Sequence, residues 1–134
     1  MSPAGGPHPG VASSVLIADD DDDICALVAA ILTRAGFHTE TVDGGREALA
    51  AARREAPQLY VLDVRMPDIN GLDVCRELKS NDETNGPVLL ISAESSTDDV
   101  AAGYAAGCDD YLPKPFSSSE LVRRVDQLLA NETS

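Results

Sequence analysis

No stretch of the chain comes near the roughly 18 consecutive apolar residues of a membrane span, and its first residues lack the basic start and apolar run of a signal peptide. Both absences predict a cytoplasmic protein with no membrane partner. Basic residues are scarce: 10 Lys and Arg stand against 23 Asp and Glu, for a formal net charge of -13 and a pI of about 4.2. A field of that sign repels nucleic acid and anionic lipid and favours cations and basic partners, so direct nucleic-acid binding by this chain is not expected. Histidine is nearly missing. His8 sits in a Pro/Gly segment and His38 stands just before a predicted strand, so neither joins a metal-ligand cluster. Cysteine is limited to Cys25, Cys75 and Cys108, odd in number, far apart and without C-x-x-C spacing. They are predicted to be reduced residues in or near the core.

At 134 residues the chain has the size of one domain, able to bury about two-thirds of its unfolded surface. Residues 1–13 carry Pro3, Pro7, Pro9, Gly5, Gly6 and Gly10 and are expected to form a disordered tail. The folded domain is expected over 14–130, with a short C-terminal tail over 131–134.

Between those limits strand and helix patterns alternate. Residues 15–18 form a short apolar run that stops at five consecutive aspartates, Asp19 to Asp23. Ile24, Leu27, Val28, Ile31 and Leu32 then recur at the spacing of one helix face, with Gly36 as a left-handed stop. A second strand is predicted over 39–42, then an alanine-rich helix over 46–55 with Ala48, Leu49 and Ala52 inward. Residues 59–62 form a third strand, apolar throughout, ending on Asp63 and followed by Pro67 and Gly71. Leu72, Cys75 and Leu78 mark the next helix, and 88–92 a fourth strand ending on Ser92. Ser96 with Asp99 predicts a capping box for a weakly amphipathic helix through Ala106. A last strand over 110–113 precedes a second capping box, Ser117 with Glu120, and a helix carrying Leu121, Val122, Val125, Leu128 and Leu129. Five βα units predict an α/β fold, a doubly wound parallel sheet with right-handed crossovers.

An aspartate closing a buried strand is tolerable at the carboxyl edge of such a sheet, where open α/β folds place their ligand crevice. A lone Asp63 reads more readily as a cap for the loop or the following helix. With flavodoxin-like strand order 2-1-3-4-5, however, the first and third strands are neighbours, and Asp19, Asp20 and Asp63 converge. Two unit charges about 4 Å apart repel by about 4 kcal/mol at an effective dielectric near 20, so the cluster calls for a counter-charge. Oxygen ligands with retained waters suit Mg²⁺.

These residues bring the chain close to a known family: residues 15–130 resemble the receiver domain of two-component response regulators. The resemblance rests on Asp19-Asp20 after the first strand and on Asp63 within Leu-Asp-Val-Arg-Met-Pro-Asp-Ile-Asn-Gly. It rests also on Ser92 in Ile-Ser-Ala-Glu and Lys114 in Tyr-Leu-Pro-Lys-Pro-Phe. It implies Asp63 as phosphoacceptor, Asp20, Asp63 and the backbone carbonyl of Arg65 as Mg²⁺ ligands, and Asp19 acting through water. Lys114 and Ser92 are implied to contact the phosphoryl group, the Lys114–Pro115 bond to be cis, Tyr111 with Ser92 to form the switch, and Arg65 and Glu94 to set phosphate lifetime. The implied donors are a sensor histidine kinase, a phosphotransfer protein or acetyl phosphate, and the implied reaction is in-line transfer to a carboxylate. The surface of the fourth helix, fifth strand and fifth helix would then signal to a downstream effector protein or domain, with homodimerisation one use of it. Asn70 stands where the family often has Asp, and Ser92 where Thr is equally common.

Three other readings meet obstacles. A haloacid-dehalogenase-like phosphatase needs a second Asp two residues after its nucleophile, and that position is Arg65. An EF-hand loop counted from Asp19 puts Ile24 where Gly belongs and Ala30 where the bidentate Glu belongs. A flavodoxin-like FMN binder needs a phosphate loop after the first strand, where this chain has aspartates.

Overall fold

The computed structural model describes residues 13–133. The expected tail over 1–13 lies outside the described residues except for Ser13, whose carbonyl accepts the His38 N–H at 2.9 Å. Strands and helices alternate as β1 (Ser14–Ala18), α1 (Asp22–Arg34), β2 (His38–Val42), α2 (Gly45–Glu55), β3 (Leu59–Asp63), α3 (Gly71–Lys79), β4 (Val88–Ser92), α4 (Thr97–Ala105), β5 (Asp110–Pro113) and α5 (Ser118–Thr133). The five strands are parallel in the order β2-β1-β3-β4-β5, the flavodoxin-like order expected from the sequence. α5 runs past residue 130, where the sequence reading begins a tail, because no glycine or proline interrupts Asn131 to Thr133.

Alternation along the inner strands divides the core in two. Leu16, Tyr60, Leu62, Val88 and Leu90 face one side with Ala48, Ala52, Val74 and Leu78. Val15, Ile17, Leu59, Val61, Leu89 and Ile91 face the other with Val28, Leu32, Leu121 and Val125. β3 and β4 are buried along their whole length, which is why their sequences are continuous apolar runs rather than alternating ones. Cys25, Cys75 and Cys108 are free and buried, and burial pushes each thiol up, to about 11 or 12.

Helix ends follow their local chemistry with one departure, on α5. Ser96 and Asp99 form the expected capping box on α4, and Gly36 takes the positive φ that closes α1. On α5 the box is half formed: Ser117 Oγ accepts the Glu120 N–H at 3.1 Å, but the Glu120 carboxylate turns to Arg123 and Arg124. Two guanidinium groups outcompete one backbone amide for it. Leu27, expected on the buried face of α1, is 49% exposed. The buried arc is Cys25, Val28 and Leu32, and Leu27 lies ~100° of helix rotation from Val28.

Candidate functional site

The carboxyl edge of the sheet collects charge. β1 ends with Ala18 opposite Leu62, one residue short of the end of β3, so Asp19 emerges beside Asp63. Both carboxylates are buried, at 0% and 5% exposure, whereas Asp20 is exposed. One carboxylate oxygen from each of Asp19, Asp20 and Asp63 lies within 4.8 Å of the others, a group that could hold a metal ion. The aspartate run divides its work: Asp21 caps α1 by accepting the Asp23 and Ile24 N–H groups, and Asp22 and Asp23 occupy the first turn, the end of the helix dipole that favours anions.

Opposite the acids stands Lys114. Its N–H donates to the Ser92 carbonyl at 2.8 Å, which ties the residue after β5 to the end of β4. Its ammonium lies 3.3 Å from Asp19 Oδ2 and 3.4 Å from Asp63 Oδ1, and the following bond to Pro115 is cis. Asp19 is held on its other oxygen by the Asp21 N–H at 2.9 Å. One cation for two buried carboxylates is insufficient compensation. Burial, and next the Asp19 charge, raise the Asp63 carboxyl from the ordinary value to about 6, against the opposing pull of Lys114 and the Arg65 N–H. Asp63 caps no helix; α3 is capped by Asn70, whose side chain accepts the Leu72 N–H.

A strand-end carboxylate held between a second aspartate and a lysine, at the point where the winding of the sheet reverses, is a specific arrangement. The family model for the response regulator receiver domain matches residues 15–126. The chain belongs to this family. Over 120 residues it is 44% identical to the transcriptional regulatory protein PrrA of Mycobacterium bovis, covering 90% of this chain and 51% of that protein. It is 39% identical over 111 residues to the DNA-binding response regulator MtrA of Mycolicibacterium paratuberculosis, covering 83% and 48%. The chain thus spans about half the length of the curated relatives it matches. Among solved structures it superposes on the chemotaxis response regulator CheY4 of Vibrio cholerae with a TM-score of 0.83, at 29% identity and 88% and 99% coverage. The beryllofluoride-activated receiver domain of DrrB gives 0.82, at 32% identity and 89% and 98% coverage.

In this receiver the residues flanking the acidic pocket are placed as follows. Ser92 is fully buried at the end of β4, its Oγ accepting the Glu94 N–H at 2.9 Å. Arg65, exposed, and Glu94, partly exposed, meet across the two loops with Nη1 3.2 Å from Oε2. Tyr111 points inward: its ring is 5% exposed and its hydroxyl donates to the Glu94 carbonyl at 2.5 Å. The ring is thus already turned inward in the protein without a phosphoryl group. Arg124 of α5 pairs with Asp110 and Glu120, and the Tyr104 hydroxyl donates to Asp110, so α4, β5 and α5 share one polar seam. Among the described residues no helix is long and apolar enough to cross a membrane.

The receiver also contains an anchor the sequence reading missed. Asp68, in the loop after β3, accepts the N–H groups of Gly45, Arg46 and Ile69. It therefore caps α2, whose own N-cap Gly44 offers no side chain. Those N–H groups, Arg46 foremost, lower the Asp68 carboxyl to about 2. The available signal was negative: a helix opening on Gly44-Gly45 leaves orphan donors that some other residue must satisfy.

Proposed function

We propose that this receiver accepts a phosphoryl group on Asp63 from the phosphohistidine of a sensor kinase or phosphotransfer protein, in a Mg²⁺-dependent reaction, and passes the change to an effector. The observation that carries the proposal is the undercompensated Asp19–Asp20–Asp63 cluster facing a single lysine. Three carboxylates of this kind fit a hard divalent cation, and Asp20, Asp63 and the Arg65 carbonyl would hold Mg²⁺ directly, with Asp19 reaching it through water. When bound, Mg²⁺ supplies positive charge that lowers the proton affinity of Asp63 and screens the anions brought together.

The chain's own residues account for the rest. An Asp63 carboxylate oxygen attacks phosphorus in line, its bond to phosphorus forming as the bond to the donor's imidazole nitrogen breaks and that nitrogen leaves. Lys114, aligned by Asp19, places a compact charge on one phosphoryl oxygen, and the Ser92 hydroxyl donates to another; the work is positioning and electrostatics. The product adds about two negative charges and three acceptor oxygens at the sheet edge. Ser92 moves toward them and pulls on the loop that carries Glu94, Tyr111 follows, and the surface of α4, β5 and α5 changes its affinity for an effector or for a second copy of the chain. The DNA-binding response regulators among its relatives support an effector that regulates transcription, while the charge of this chain assigns the DNA contact elsewhere.

The test is labelling with acetyl phosphate. Incorporation is expected with Mg²⁺ and lost in excess EDTA; equal incorporation in EDTA overturns the metal requirement. A second expectation concerns lifetime. Arg65, whose N–H donates to the Asp63 carboxylate, pairs with Glu94, so Arg65→Ala and Glu94→Ala should each shorten the half-life of the aspartyl phosphate. A half-exposed pair is worth up to ~1 kcal/mol, so the change is at most about fivefold, and the double variant should add little to either single one. Dephosphorylation rates identical to wild type in both variants would count against that role.

A further inference from the structure

α4 meets the sheet at a glycine. Gly103, in the last turn, is the buried residue of this helix, and glycine within a helix gives up the propensity that alanine would supply. A Cβ built on it would stand 2.7 Å from Cδ2 and 3.0 Å from Cε2 of Tyr111, and 3.2 Å from Leu90 Cδ1. Carbon atoms in favourable contact sit about 3.5–4 Å apart, so the clash with the ring is severe. Leu90 can give way by a rotamer change. The Tyr111 ring cannot do so and stay inward, because its backbone is fixed in β5 opposite Leu90 and the inward position is the one that sets its hydroxyl on the Glu94 carbonyl.

We propose that Gly103 is a positioning residue: its missing side chain is the space that admits the Tyr111 ring to the inward position. The consequence extends beyond α4. An inward ring holds the Glu94 carbonyl, and the Glu94 carboxylate pairs with Arg65, two residues after Asp63. Gly103, in the last turn of α4, thus governs both the surface presented by α4 and β5 and the placement of the loop beside Asp63. The functional part of this inference rests on the receiver reading above; the steric part does not.

Fluorine NMR on protein carrying fluorotyrosine separates the two. The chain has three tyrosines: Tyr60 and Tyr111 are buried and Tyr104 is half exposed. The Tyr111 resonance is assigned by its loss in Tyr111→Phe. In Gly103→Ala, without any phosphoryl donor, that resonance should acquire the solvent sensitivity of Tyr104 while Tyr60 stays unchanged. On adding Mg²⁺ and beryllofluoride, amide shifts around Asp63 should persist and those on α4, β5 and α5 should be lost. A Tyr111 resonance that stays buried in Gly103→Ala overturns the proposal. If Gly103→Ala fails to fold, Gly103→Ala/Tyr111→Ala decides: a restored cooperative melt supports the clash, and continued failure refutes it. Absence of any beryllofluoride response in the wild type would instead count against the receiver reading, leaving the position of the ring as a separate result.

Discussion

Asp63→Asn is expected to take incorporation from acetyl phosphate to background while making the metal-free protein more stable. Loss of labelling follows from removing the proposed nucleophile: the amide is nearly isosteric, so Lys114 and Ser92 keep their places but no carboxylate oxygen is left there to attack phosphorus. The gain in stability follows from charge. In the native pocket Lys114 serves Asp19 and Asp63 at 3.3 and 3.4 Å, and burial with the Asp19 charge raises Asp63 to about 6. An acid whose folded pKa lies above its unfolded value near 3.8 stabilises most fully below that value. That contribution is lost as pH rises through about 6. In EDTA the melting midpoint of Asp63→Asn should therefore match wild type near pH 4 and exceed it by about 5 °C or more at pH 7. Mg²⁺ should narrow the gap by stabilising the wild type more. Labelling retained in Asp63→Asn would move the acceptor elsewhere. A variant less stable than wild type at pH 7 would show that the carboxylate is better compensated than its surroundings indicate.

The pocket was legible in the sequence because each of its members ends a buried strand or follows one. Asp19 and Asp63 interrupt apolar runs that a parallel sheet requires, and a carboxylate there has few structural uses. Lys114 is set apart by prolines on both sides, and Ser92 closes the fourth run. Residues whose partners are distant in sequence escaped. Asp68 caps a helix 22 residues earlier in the chain, and nothing local to Met66-Pro67-Asp68-Ile69 announces it. The seam of Arg124, Asp110 and Tyr104 joins three elements, while the sequence shows only a charged helix face and a polar strand end. Leu27 matched the helical period yet faces outward, since periodicity names a face without fixing how wide the buried arc is. Gly103 reads as a weak spot in α4 until the Tyr111 ring is seen against it. What remained hidden is in each case a contact made by the tertiary fold, not a property of the segment.

Gly71→Ala should be the most damaging small substitution near the pocket. Gly71 opens α3, and its N–H donates to the Val64 carbonyl at 2.8 Å, which seats the helix on the end of β3. A Cβ there would fall 2.2 Å from the Asp63 carbonyl oxygen and 2.9 Å from Val64 Cα. Both are backbone atoms, so no rotamer relieves the overlap. Nor can the strand end retreat, since Val64 N–H is bonded to the Ile91 carbonyl of β4 at 3.1 Å. The substitution must lift α3 or peel the end of β3, at a cost of about 3 kcal/mol or more and a fall in melting midpoint of ~10 °C. Because the displaced strand end carries Asp63, acetyl phosphate labelling should also drop at temperatures where the variant remains folded. Gly36→Ala is the control. Gly36 has φ +103 with open space around it, so alanine there meets only backbone strain of about 1–2 kcal/mol, far from Asp63, and labelling should be unchanged. If Gly71→Ala melts within a degree or two of wild type and labels normally, the junction of β3 and α3 has slack and the placement of Asp63 does not depend on that contact. If it melts low but labels normally once folded, the strain is absorbed by α3 alone, and Asp63 is held by β4 and Lys114 rather than by the helix that follows it.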